Sequence, residues 1–433
     1  MLLSLRGQGN LRPVYRKWSP FFNKLVNADA VSQKYGVKMS KVSGSAEQLG
    51  KLGTNTRLVH LGHNPRDYHG FINPPVIRAS TVLYPDYETM RDRKQQYTYG
   101  TRGTPTTQAL CNALSDLESA AGTILVPSGL AAVSMPILSF AKAGMHMLVI
   151  DSLYDPTRYF LDNILASLGV EVEYFPARIG EGLAKLVRPN TGILMLETPG
   201  SNSFEMCDVP LLAGIAHDKN ADCVVMIDNT WATPLYFKPL DFGVDISIHA
   251  LTKYPSGHSD LLMGGISATA RCWDQLRNYT QAMGVCVSGD DAYQILRGLR
   301  SMGVRLKHQQ KSTLKICQWL QQHEHVSRVL YPALPEHPGH DIWKRDFSGA
   351  SGLFTFVIKD RDREACGAFL NALRIHGLGY SWGGYESLAV MPRFDDRVID
   401  HGPKDGTAIR IQVGLEEDDD LIEDLERGLA AVR

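Results

Sequence analysis

The chain has 433 residues, 44% of them hydrophobic and 21% charged, with a formal net charge of −1 at pH 7. That length accommodates a large core and more than one domain. The near-neutral charge excludes an electrostatic footing for nucleic acid or an anionic membrane surface, and no apolar run reaches the roughly 18 residues a membrane span needs. Seven cysteines, none in a C-x-x-C pair, are scattered through apolar segments. They read as reduced, buried small hydrophobes of a cytoplasmic protein, with no disulfide and no metal site.

The first 50 residues stand apart. The first forty carry seven Lys or Arg against one acid, Asp29, and show no periodic apolar pattern. Such a leader fits a transit peptide, a disordered arm, or sequence upstream of a start at Met39. Residues 51–104 read as a loop-rich arm, in which Asn73-Pro74-Pro75 blocks helix, and end in YTYGTRGTPTT. Apolar positions at 110, 113, 114 and 117 then predict an amphipathic helix over 105–120, opened by Pro105.

Thr123–Val126 predicts a buried strand. It runs into the turn Pro127-Ser128-Gly129-Leu130, which opens a helix. A strand, a glycine turn and a helix N-terminus make an anion site, since free N–H groups and the helix dipole converge there. Most turns of this kind only redirect the chain. Its place one βα unit into a repeating pattern makes Gly129 and Leu130 a phosphate cradle. Alternation continues with strand 146–150, helix 157–168, strand 170–175, a helix near 181–187, strand 192–197 and helix 209–219. Repeated βα units of this spacing predict a mostly parallel sheet covered on both faces.

Two further strands, Val224–Ile227 and Val244–Ile248, end near Asp228 and lead to Thr252 and Lys253. A lysine past a strand is ordinarily a solvated loop residue, and an aspartate at a strand end is ordinarily a cap. Together, at the carboxyl ends of adjacent strands, they supply what a pyridoxal phosphate (PLP) enzyme needs: an amine for the cofactor aldehyde and a carboxylate for the pyridine nitrogen. One or two long helices follow, with apolar positions at 295, 296, 299, 302, 306, 314, 316 and 320. A smaller α/β unit closes the chain: strand 353–358, helix 361–375, the loop GYSWGGYESL, strand 407–413 and an acidic helix from Glu416. Arg410 lies mid-strand between Ile409 and Ile411. Such an arginine forms either a structural ion pair or a fork for a carboxylate, assisted here by Ser381 and Trp382.

The strings IDNTWATP and DISIHALTKYPSGHSD closely resemble the Cys/Met-metabolism family of PLP enzymes, on its bacterial cystathionine β-lyase branch. The resemblance extends from about residue 55 to the end. It implies the aspartate-aminotransferase type of fold, an α/β class with a PLP-binding domain at 105–300 and a C-terminal domain at 301–433. It implies Lys253, Asp228 and Tyr154 as catalytic residues, Tyr154 stacking on the cofactor. It also implies a homotetramer of catalytic dimers, in which Tyr99 and Arg102 reach the neighbour's cofactor phosphate. Here the chain departs from the family: the usual arginine two residues after the tyrosine is Thr101, and Arg102 is assigned its task. The implied reaction splits the amino acid cystathionine into homocysteine, pyruvate and ammonia. A γ-lyase, γ-synthase or sulfhydrylase would share most of these residues, and a transaminase would share the lysine. A non-catalytic binding protein has no need of the lysine–aspartate pair. Ser201 stands where many members have asparagine, and with Trp382 it favours the β-lyase. Gln281 replaces a tyrosine of close bacterial relatives, which leaves the far end of the substrate unassigned.

Overall fold

The computed structural model describes residues 52–432; the leader expectation for residues 1–50 lies outside them. A seven-stranded sheet is built from β1 (Gly122–Val126), β2 (His146–Ile150), β3 (Glu171–Phe175), β4 (Thr191–Glu197), β5 (Val224–Asp228), β6 (Ile246–Ala250) and β7 (Gly264–Ala268), in the order β1-β7-β6-β5-β4-β2-β3. Neighbours are parallel except β7, which runs antiparallel to both β1 and β6. Its middle strands are apolar end to end, with Met147 to Ile150, Ile193 to Leu196 and Val225 to Ile227 fully buried. That is the mark of strands covered on both faces. The helices that cover them include α1 (Pro105–Glu118), α2 (Gly129–Phe140), α3 (Val209–Lys219) and α4 (Ala270–Ala282).

Local chemistry sets the helix starts. Thr104 and Thr107 form a reciprocal capping box ahead of Pro105, and the Ser128 and Asp208 side chains accept from Ala131 and Leu211 at the starts of α2 and α3. The predicted apolar stripe of α1, Leu110, Ala113, Leu114 and Leu117, is buried.

Where one or two helices were expected, a single helix α5 runs from Gly289 to Gln321. Its Gly298 allows a close approach: a Cβ there would meet the Pro255 carbonyl oxygen at 2.2 Å. The loop after Lys253 thus presses directly on the α5 backbone. Leu296, Leu299 and Leu306 of α5 join the core formed with α1, whereas Ile316 and Leu320 join the core shared by the two sheets. The expected division between residues 300 and 301 falls within this helix.

A second sheet, in the order β10-β11-β12-β9-β8, comprises β8 (Val326–Leu330), β9 (Leu353–Lys359), β10 (Gly377–Leu378), β11 (Leu388–Val390) and β12 (Gly406–Gln412). Helices α6 (Arg363–Ala372) and α7 (Asp418–Ala430) accompany it. Among the described residues no helix is long and apolar enough to cross a membrane. The cysteine expectation needs correction at two positions: Cys286 is exposed and Cys111 only half-buried, while the other five are buried. Cys286 sits in the loop between α4 and α5, where its neighbours Val285 and Val287 pack against the cores and Cys286, between them, is left exposed.

Candidate active site

A cavity of about 400 Å³ opens at the carboxyl ends of β4, β5 and β6. Its lining includes Gly129, Leu130, Tyr154, Asp228, Thr252, Lys253, Ser381, Trp382 and Arg410. The fold therefore brings together nine of the eleven residues to which the sequence assigns a catalytic, cofactor or substrate role, drawn from both sheets.

Asp228 is the last residue of β5. Its Oδ1 accepts from the Thr230 N–H at 3.0 Å and from the Thr230 hydroxyl at 2.5 Å. Thr230 Oγ1 in turn accepts from the Ala250 N–H at 2.9 Å, which locks the turn after β5 to the end of β6. Burial pushes the Asp228 carboxyl above its usual range, against the pull of the Thr230 hydrogen bonds. Glu197, at the same register position on β4, is buried beside it. Burial first, and then the Asp228 charge, drive Glu197 well above the ordinary carboxylate range. Its Oε2 accepts from the Tyr154 N–H at 2.7 Å and fixes the backbone that carries the ring.

Lys253 follows β6 in a tight turn. Its Nζ donates to Ser381 Oγ at 2.6 Å and lies 5.0 Å from the centre of the Trp382 ring. Burial, and then the Arg410 charge, pull its amine down to about 8, partly offset by Asp228. An amine with that pKa is about one-tenth neutral at pH 7, roughly two orders of magnitude more than an ordinary lysine, which favours a nucleophile. Burial likewise holds the Tyr154 phenol above its ordinary value. Arg410 Nη1 donates to Asn202 Oδ1 at 3.0 Å, and burial lowers its guanidinium to about 10. No carboxylate pairs with it among the described residues, so the structural ion-pair reading of this arginine fails.

These features fit PLP. The first-turn N–H groups of α2, at Gly129 and Leu130, have no partner within the helix and face the cavity. A Cβ on Gly129 would stand 2.7 Å from the Ala250 Cβ, so only glycine lets the helix start sit this close to the strand end. Asp228 Oδ2 receives no hydrogen bond from any described residue and, at the cavity wall, suits a cationic ring N–H.

Tyr99 and Arg102 are placed elsewhere. Tyr99 is 49% exposed and takes a hydrogen bond from Ser80 Oγ at 3.2 Å. Arg102 contacts Gln281 and, with Thr101, lines a separate cavity of about 580 Å³. The sequence reading missed Glu197, Asn202, Thr230 and Tyr380, all of which line the first cavity. Glu197 and Thr230 were visible as polar residues at strand ends; nothing local marked Asn202 or Tyr380.

A family model described as Cys/Met metabolism PLP-dependent enzyme matches residues 55–430. A Rhizobium johnstonii protein named putative cystathionine beta-lyase is 58% identical over 387 residues, covering 88% of this chain and 97% of its own. The cystathionine beta-lyase MetC of Escherichia coli is 42% identical over 388 residues, covering 87% and 98%. The solved structure of metB from Corynebacterium glutamicum aligns with a TM-score of 0.83 at 28% identity, covering 89% of this chain and all of that one. A lysine and an aspartate meeting at adjacent strand ends, and a match across nearly the whole described length, lead to one conclusion: the chain belongs to the Cys/Met-metabolism family of PLP-dependent enzymes.

Proposed function

We propose that the protein is a PLP-dependent carbon–sulfur lyase that cleaves L-cystathionine at Cβ to homocysteine, pyruvate and ammonia. The observation that carries this reading is the convergence of Lys253, Asp228 and an arginine without a carboxylate partner, Arg410, on one cavity. The names of relatives 42% to 58% identical support the choice of substrate. PLP, when bound, supplies an aldehyde for the lysine amine and an electron-accepting ring for the Cα carbanion.

The residues divide the work. Gly129 and Leu130 N–H groups and Thr252 hold the phosphate, while Asp228 holds a proton on the ring nitrogen and is itself steadied by Thr230. Arg410, with Ser381, binds the substrate carboxylate as a planar fork. Lys253 takes the Cα proton; its partner Ser381 and the adjacent Trp382 keep the amine directed into the cavity and partly out of water. Lys253 or the Tyr154 phenol then delivers a proton to the departing sulfur. Incubation with cystathionine and identification of both products tests the reading. Cysteine and 2-oxobutyrate as main products would place the enzyme on the γ-lyase side instead.

Arg410→Lys keeps the charge and loses the fork. KM for cystathionine should rise about tenfold or more, the cost of one bidentate contact. The visible spectrum and melting temperature of the resting enzyme should not change; a melting shift with unchanged KM would return Arg410 to a structural role.

We further propose a homotetramer of catalytic dimers, with PLP-binding (105–300) and C-terminal (301–433) domains, in which Tyr99 and Arg102 serve the partner's cofactor phosphate. Supporting this, neither residue lines the cavity of its own Lys253. Mixed dimers of Arg102→Ala and Lys253→Ala chains then hold one sound site each. Equal mixing with free exchange should restore about a quarter of the parental activity. Exchange with no recovery would show that the loop serves its own chain.

A further inference from the structure

Arg410 is held by a neighbour that sequence reasoning did not anticipate. Asn202 sits in the turn after β4, lines the same cavity, and accepts at Oδ1 from Arg410 Nη1 at 3.0 Å. Its backbone is left-handed, at φ +64°, a conformation that glycine, asparagine and aspartate adopt most readily. With Oδ1 engaged, its Nδ2 has no acceptor among the described residues.

The turn is itself fastened in place. Ser201 N–H donates to the Ser152 carbonyl at 2.7 Å. From the second sheet's side, Arg397, only 6% exposed, donates to Ser203 Oγ and Glu205 Oε1 at 2.8 Å each and to Asp151 Oδ2 at 3.3 Å. Asp151, fully buried, also accepts from three successive backbone N–H groups, Val398 to Asp400. A loop clamped this firmly presents its tip in one place.

We propose that Asn202 is a second substrate-carboxylate ligand, orienting the Arg410 fork through Oδ1 and donating its own Nδ2–H to the carboxylate of the bound amino acid. The proposal rests on the assignment of Arg410 as the carboxylate fork. A neutral amide suits this place because it tightens the arginine without neutralising it. A carboxylate at position 202 would pair with Arg410 and repel the substrate.

The test uses holoenzyme and spectral titration with two ligands, L-alanine and L-alaninamide, which differ in the carboxylate alone. Asn202→Gly keeps the left-handed turn and removes the amide; Asn202→Asp keeps the shape and adds the charge. The dissociation constant for L-alanine should rise about tenfold in the glycine variant and about a hundredfold in the aspartate variant, as expected for loss of a charge-assisted hydrogen bond and then of the fork. Binding of L-alaninamide and the melting temperature should hold within about twofold and a degree or two of the parent. Equal weakening of both ligands, or L-alanine binding unchanged in both variants, overturns the proposal. If the glycine variant fails to fold, the ratio of the two ligands in the aspartate variant decides alone. Because L-alanine has no leaving group, failure of the cystathionine assay leaves this measurement intact, and the two readings fall separately.

Discussion

Lys253→Ala should remove the visible absorption band of the bound cofactor and nearly all turnover. No other side chain in the cavity offers an amine, so nothing in it can substitute for Lys253. Borohydride treatment of the parent should fix PLP on this residue, and peptide mapping locates it; a label on another lysine refutes the assignment. The pH course of labelling follows from the depressed amine. Ordinary lysines are neutral only above about 10.4, whereas Lys253, pulled down to about 8 by burial and by Arg410, is neutral above about 8. Capture of PLP by the cofactor-free protein should therefore climb with pH up to about 8 and then level. A rate still climbing at pH 10 would mean that the amine is not desolvated.

The second large effect belongs to Asp228. Asp228→Asn keeps the shape and the hydrogen bonds of Thr230 but removes the negative charge proposed to hold a proton on the ring. Turnover should fall by about a hundredfold or more, which asks for roughly 2.7 kcal/mol. Cofactor retention should change far less, because the phosphate and Lys253 contacts survive. A near-normal kcat in the Asn variant would show that another group, Glu197 being the nearest acid in register, governs the ring nitrogen.

How much of this could be read from the sequence depends on where the information sits. Strand β2 was expected at the residues where it is found, because its apolar run is bounded on both sides by turn formers. Lys253 and Asp228 were legible because a charge directly after an apolar run marks a strand end. Strand β6 was expected two residues early. His249 and Ala250 extend it, and the histidine is buried and kept neutral, its ring bonded to the Asn229 carbonyl oxygen at 2.9 Å, so polarity did not mark the boundary. Strand β7 was missed because its sequence, GGISA, opens on two glycines, which local propensity assigns to a turn. Its antiparallel place between β1 and β6 comes from tertiary pairing alone. The site followed the same rule. Asp228 and Lys253 were visible beside their apolar runs and Glu197, at the end of β4, was passed over, whereas the Asn202–Arg410 contact joins residues 208 positions apart and leaves no local trace.

Helix α5 carries one more consequence. Its 33 residues make an unbroken rod about 50 Å long, anchored by side chains in the α1 core at one end and in the core common to both sheets at the other. A rod with both ends embedded offers no hinge, and neither sheet can lose its packing without loosening the same helix. The described body should therefore melt in one cooperative transition rather than sheet by sheet. The residue that lets the lysine turn rest on that rod, Gly298, ties the site to the same event: catalytic competence and global folding should be lost over the same few degrees.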